Sequence, residues 1–122
     1  MDFMDNKEFS RQLEERTKKF AIEIIKLSSI LPDTPEGRTI RRQITRSGTS
    51  IGANYREANR SRSKADFLSK IRITESESSE TSFWLEIIKE TGWLNKERTD
   101  PLLNESNELL ALSTSIARKL KT

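Results

Sequence analysis

Apolar residues recur along this chain at the spacing of a single helix face. From about Asn6 to Ser29 the series is Phe9, Leu13, Phe20, Ile24 and Leu27, with Arg16 in the one polar slot. Leu31-Pro32-Asp33 closes the segment, because proline disfavours helix in the residue before it. Thr34-Pro35-Glu36 opens a second helix: a capping hydroxyl, a proline suited to the first turn and an acid for the positive end of the dipole. Its inward face is Ile40, Ile44, Ser47/Gly48, Ile51, Tyr55 and Ala58, and it should fade between Asn59 and Ser61. Ser63-Lys64-Ala65-Asp66 starts a third helix with a capping-box-like turn, followed by Phe67, Ile71, Thr74, Ser78, Thr81, Leu85 and Ile88. Gly92 stops it, and Trp93 and Leu94 can fold back on its last turn. Asp100-Pro101 reads as the start of a fourth, with Leu102, Leu109, Leu112, Ile116 and Leu120 inward. The predicted helices are therefore about 6–29, 35–60, 64–91 and 101–120 in one domain. Short connections make neighbours antiparallel, so the expected fold is all-α, an up-down-up-down four-helix bundle.

Composition supports this and removes several chemistries. Among 122 residues, 33% are hydrophobic and 34% charged, which suits thin helices with one buried stripe each. Only four Gly and three Pro leave too few turns for a β-sandwich. With no Cys, disulfides and thiolate metal sites are excluded; with no His, the commonest general base and metal ligand is missing. No enzyme activity, metal or cofactor is expected. The start, MDFMDNKEF, is acidic and lacks the apolar run of a signal peptide, and no later run approaches a membrane span, so the expected location is the cytoplasm.

Net charge is only +3, but its distribution is uneven. Between Thr34 and Lys64 stand eight basic residues against Glu36 and Glu57. With about 100° per residue, Arg38, Arg42, Arg46, Arg56 and Arg60 fall on the side of the second helix opposite its aliphatic face. Arg62 and Lys64 follow in the next turn. Guanidinium groups bind phosphate oxygens two at a time and keep their charge, so this line is a candidate nucleic-acid track. No aromatic residue interleaves it, which points to backbone contact rather than base readout. A solvated face paired with local carboxylates, or a grip on an acidic protein, would use the same residues.

Three further groups stand out. Ser47, Gly48, Gly52 and Asn54 form a small-residue patch, and mid-helix glycines cost about 1 kcal/mol each relative to alanine. An antiparallel hairpin sets this patch against Thr74–Thr81, predicting a narrow polar waist that includes Glu77 and Glu80. The pattern lacks the spacing of a phosphate-binding loop. The carboxylates Asp66, Glu75, Glu77, Glu80 and Glu86 resemble a di-iron set only weakly without Glu-x-x-His. Ile22 and Ile25 on the first helix, and Phe83, Trp84 and Ile87 on the third, exceed what one stripe per helix needs. They predict a self-association surface, the alternative being a thicker local core closed by Trp93 and Leu94.

Gln43 to Ile88, somewhat more than a third of the chain, carries Arg46-Ser47, Ser50-Ile51-Gly52-Ala53-Asn54, Glu57-Ala58, Ser63-Lys64-Ala65-Asp66-Phe67 and Glu77-x-x-Glu80-Thr81-x-x-Trp84-Leu85. This order and spacing resembles the four-helix-bundle proteins encoded in intervening sequences of bacterial 23S ribosomal RNA genes, also called S23 proteins. The resemblance implies a ring-like homopentamer. It also implies kinship with the accessory proteins of diversity-generating retroelements, which present basic surfaces to nucleic acid and to a reverse transcriptase. Arg46, Arg56 and Arg60 are the basic positions that it carries over, while Gly52, Asn54, Glu77 and Glu80 look structural. It implies no cofactor.

The leading expectation is a non-enzymatic, oligomeric nucleic-acid-binding scaffold, for RNA or DNA. The second is an adaptor whose basic face holds an acidic protein partner.

Overall fold

A computed structural model describes residues 7–121. It contains α1 (Lys7–Ser28), α2 (Pro35–Ala58), α3 (Lys64–Glu90) and α4 (Lys96–Lys121). Each helix runs antiparallel to the next, α2 and α3 pack against both of their sequence neighbours, and a thinner contact between α1 and α4 closes the bundle.

The caps of α2 and α3 form as expected. Thr34 Oγ1 accepts from the Gly37 amide and Ser63 Oγ from the Asp66 amide, each at 3.0 Å. α3 ends at Glu90, and Gly92 then takes a φ of 74°, a left-handed turn that favours glycine. The start of α4 differs from expectation. Asn95, not Asp100, is the cap: its side chain accepts from the Arg98 amide at 3.0 Å. Pro101 then lies inside the helix and leaves the Glu97 carbonyl without its usual donor. Full burial of Thr99 and close burial of Leu102 help offset that loss.

The core runs along the bundle axis through Phe20, Ile24 and Leu27, then Ile44, Ile51 and Tyr55, then Ile71, Leu85 and Ile88, then Leu109 and Ile116. Buried hydroxyls interrupt it at Thr17, Ser47, Thr74, Ser78, Thr81, Ser82 and Ser106. They cost little, because most return a hydrogen bond to a carbonyl one turn back, as Ser78 does to Thr74 at 2.8 Å. Others pair across helices: Thr81 Oγ1 donates to Ser47 Oγ at 2.9 Å, and Ser82 meets Ser106 at 2.7 Å.

Two packing expectations need correction. Thr17, not Arg16, occupies the polar core slot of α1; Arg16 swings to α4 and grips Glu105 at 2.6 and 2.8 Å. The small-residue patch of α2 does not form a single waist against α3. Neighbouring helical residues point about 100° apart, so Ser47 faces α3 while Gly48 faces the opposite neighbour, α1. Gly52 likewise backs onto Thr17 of α1. Asn54 bonds to the Ser50 carbonyl of its own helix at 2.9 Å, and Glu77 and Glu80 turn to Arg46.

A Cβ at Gly48 would stand 2.7 Å from Ile24 Cγ2, whereas at Gly52 its nearest neighbour would be Thr17 Oγ1 at 3.1 Å. Gly48→Ala should therefore lose stability by about 1–2 kcal/mol, overpacking of up to ~3 kcal/mol outweighing a helix-propensity gain of ~1 kcal/mol. Gly52→Ala should stay within about 1 kcal/mol of wild type. Chemical denaturation of both variants checks the contrast, and equal behaviour would remove the close-approach account.

Candidate nucleic-acid interface

The inward face of α2 is fixed by Ile44, Ile51 and Tyr55, so its opposite side must face solvent. Arg38, Arg42, Arg46 and Arg56 are exposed there. Arg60, expected on the same helix, lies past its end at Ala58 in the turn, where Arg62 is also exposed, and Lys64 is the exposed first residue of α3. Arg41 lies off the line. It is half-buried and donates to the Leu31 carbonyl at 2.8 Å, which ties α2 to the preceding turn.

Tertiary packing divides this line into two kinds of residue. Arg46 is clamped: one guanidinium nitrogen meets Glu77 at 3.0 Å and another contacts Glu80, both on α3. Glu80 also accepts from the Trp84 indole at 3.0 Å. That bond holds its carboxyl below the ordinary value, with Arg46 adding to the effect and burial opposing it. Arg38 bonds Asp33 at 2.6 Å, and Arg56 stands 3.6 Å from Glu14. Arg42, Arg60, Arg62 and Lys64 form no ion pair among the described residues. The unpaired cations thus gather toward the α2–α3 turn, with Arg42 alone farther up the helix.

Two cations not anticipated from sequence join that end. Lys7 and Arg11 of α1 share an open cleft with Arg62 and Lys64. No local signal could have grouped them, because the chain between them runs the length of the bundle and back.

The carboxylates separate rather than cluster. Glu75 faces α4, where Thr114 Oγ1 donates to it at 2.6 Å and Arg72 lies 3.1 Å away. Asp66 and Glu86 are exposed. Among the described residues no group of three carboxylates is placed to hold a metal ion.

The apolar surplus is on the outside. Ile22, Ile25 (49% exposed) and Phe83 (51%) face solvent, and Trp84 and Ile87 are half-buried. Phe83 and Trp84 meet edge to face with centroids 5.0 Å apart. Ile30 and Ile73 are also exposed, which sequence reading did not single out. By helical phase Ile25 leans toward α2 from α1, and Trp84 and Ile87 lean toward it from α3. Apolar margins therefore flank the first half of α2. Trp93 and Leu94 pack on the core without covering Phe83. No helix is long and apolar enough to cross a membrane among the described residues.

Residues 10–115 match the family described as 23S rRNA-intervening sequence protein. The chain is also similar to a solved structure from Bacteroides thetaiotaomicron VPI-5482, described as a protein of unknown function from the S23 ribosomal protein family. The two are 38% identical over 85% of this chain and 96% of that one, with a TM-score of 0.79. No curated protein matches.

Glu75 and Glu80 both bind protons more weakly when folded than their ordinary value of 4.5 implies. Their contribution to stability is complete above that value and is lost as pH falls through the lowered native values, because the unfolded chain takes up protons first. Acid titration followed by circular dichroism should show this loss, and Glu80→Gln should flatten it. An unchanged acid limb in Glu80→Gln would mean the carboxylate does not contribute.

Proposed function

The chain belongs to the 23S rRNA-intervening sequence protein family, and from that premise we propose that it is a non-enzymatic, self-associating scaffold that binds nucleic acid through phosphate contacts. The observation that carries this is the row of exposed cations on α2, the turn after it and the first residue of α3, four of them without a carboxylate partner among the described residues. Cations held in the open without local partners attract a polyanion at little desolvation cost. The absence of interleaved aromatics on that face favours shape and backbone contact over sequence readout. Lack of any His or Cys supports a binding role rather than catalysis.

Self-association is the second part of the proposal. Two apolar margins on different helices suit a head-to-tail contact, in which one margin of a protomer meets the other margin of the next. Such contacts close into a ring when the rotation permits, and a homopentamer is the form proposed. A ring repeats the basic turn once per subunit, and avidity then compensates for a modest single site. We extend the proposal, from the resemblance to the retroelement accessory proteins, to a reverse transcriptase or another protein as partner and to the cytoplasm as location.

Titration of labelled RNA and DNA at rising salt should give steeply salt-dependent binding with little sequence preference. Arg42→Ser/Arg60→Ser should weaken it roughly tenfold and flatten the slope by about 2. Arg46→Ser should do much less, its guanidinium being committed to two carboxylates. No binding at low salt, together with capture of an acidic protein that survives nuclease, would replace this reading with the adaptor.

For assembly, light scattering should report a mass several times the 14.1 kDa subunit. Ile25→Asp or Phe83→Asp should reduce it without unfolding, since both side chains are half exposed. A monomeric wild type overturns the ring.

A further inference from the structure

Where α1 begins and α2 turns into α3, the end of the bundle opens into a cleft of about 550 Å³. Ala58 and Phe67 give it an apolar floor, and Lys7, Arg11, Arg62 and Lys64 stand around it. One carboxylate, Glu14, is on its wall, and both of its oxygens are engaged. Asn59 Nδ2 donates to one at 2.8 Å, and Arg56 Nε approaches the other at 3.6 Å. Arg11 is shared with Glu8 on the open surface. Lys7, Arg62 and Lys64 have no ion pair among the described residues. α3 starts at the edge of the cleft with Ser63 as its cap, so the positive end of its dipole adds to the same field.

Cations converging on one concavity repel one another, and the described chain supplies only a carboxylate that is already occupied. We propose that the cleft binds a phosphate group. A phosphate offers at least two acceptor oxygens, with one negative charge as a backbone diester and about two as a terminal monoester, enough for Arg62 to bind it in two-pronged fashion while Lys7 and Lys64 act as point charges. The cleft lies at the end of the bundle away from Ile25 and Ile87, so a neighbouring copy docked on those margins leaves it open. The proposal deepens the nucleic-acid reading by naming where a phosphate seats, yet it stands on the cleft's own chemistry and can fail separately.

Isothermal titration calorimetry with inorganic pyrophosphate tests it. The wild type should bind. Arg62→Ser/Lys64→Ser should weaken binding roughly tenfold or more, since each charge-assisted hydrogen bond is worth about that much. Lys19→Ser/Lys96→Ser, a charge-matched change of exposed residues away from the cleft, should leave it unaltered. All four residues are exposed, so folding is expected to persist and circular dichroism verifies it. No binding, or an equal loss in both double variants, overturns the proposal. RNA that displaces pyrophosphate identifies a nucleic-acid phosphate as the occupant; RNA that binds without displacing it identifies a free phosphate compound, with the site intact. Pyrophosphate binding without RNA binding keeps the cleft and removes the scaffold reading. RNA binding by a wild type that takes up no pyrophosphate does the reverse.

Discussion

The close approach of α2 to its two neighbours governs the arrangement. On one side Gly48 lets Ile24 of α1 press against the α2 backbone; on the other Ser47 meets Thr81 of α3 at hydrogen-bond distance. Neither contact leaves room for a larger side chain, so α2 sits deep between α1 and α3 and turns one narrow face outward. Arginines on that face stay hydrated, whereas Arg41, off it, is half-buried and bonds the Leu31 carbonyl instead. The same depth brings Arg46 within reach of Glu77 and Glu80, and Arg56 within reach of Glu14. Helix packing thus sorts the cations into those that bind the bundle together and those left for a partner.

That division is softer than a list of ion pairs suggests. Arg38 with Asp33 is a largely exposed pair and Arg56 with Glu14 a partly exposed, longer one, and pairs open to solvent contribute roughly 0–1 kcal/mol. A phosphate could draw either arginine away at small cost. Arg46 is different: two carboxylates hold it, and one of them is itself fixed by the Trp84 indole. Its place beside the apolar margin of α3 suits a residue that stiffens the α2–α3 contact. Arg42 also lies between the margins, so a docked neighbour would approach it closely. The basic end near Arg62 is remote from them, and for that reason an assembled ring and a bound polyanion can coexist on one chain.

Much of the architecture was legible residue by residue. Each stripe of apolar positions, the Thr34 and Ser63 caps and the Gly92 stop depend on neighbours within a turn or two, and these local rules held. The start of α4 was misread for a physical reason. Asp100-Pro101 has the composition of a helix start, but Asn95 caps equally well, and the earlier start buries Thr99. Arg16 and Thr17 were likewise exchanged, since periodicity places a stripe only to within one residue. The attraction of Glu105, which draws Arg16 out of the core, lies 89 positions away.

By itself, then, the amino-acid order determined four amphipathic helices, their antiparallel succession and the solvent-facing arginine line, because helical phase and capping are short-range. Only the tertiary structure decided which neighbour each small residue of α2 touches and which arginines are already matched. It also decided that Lys7 and Arg11 meet Arg62 and Lys64 across one cleft. Those outcomes depend on distances between helices far apart in sequence, and periodicity along a single helix holds no information about them.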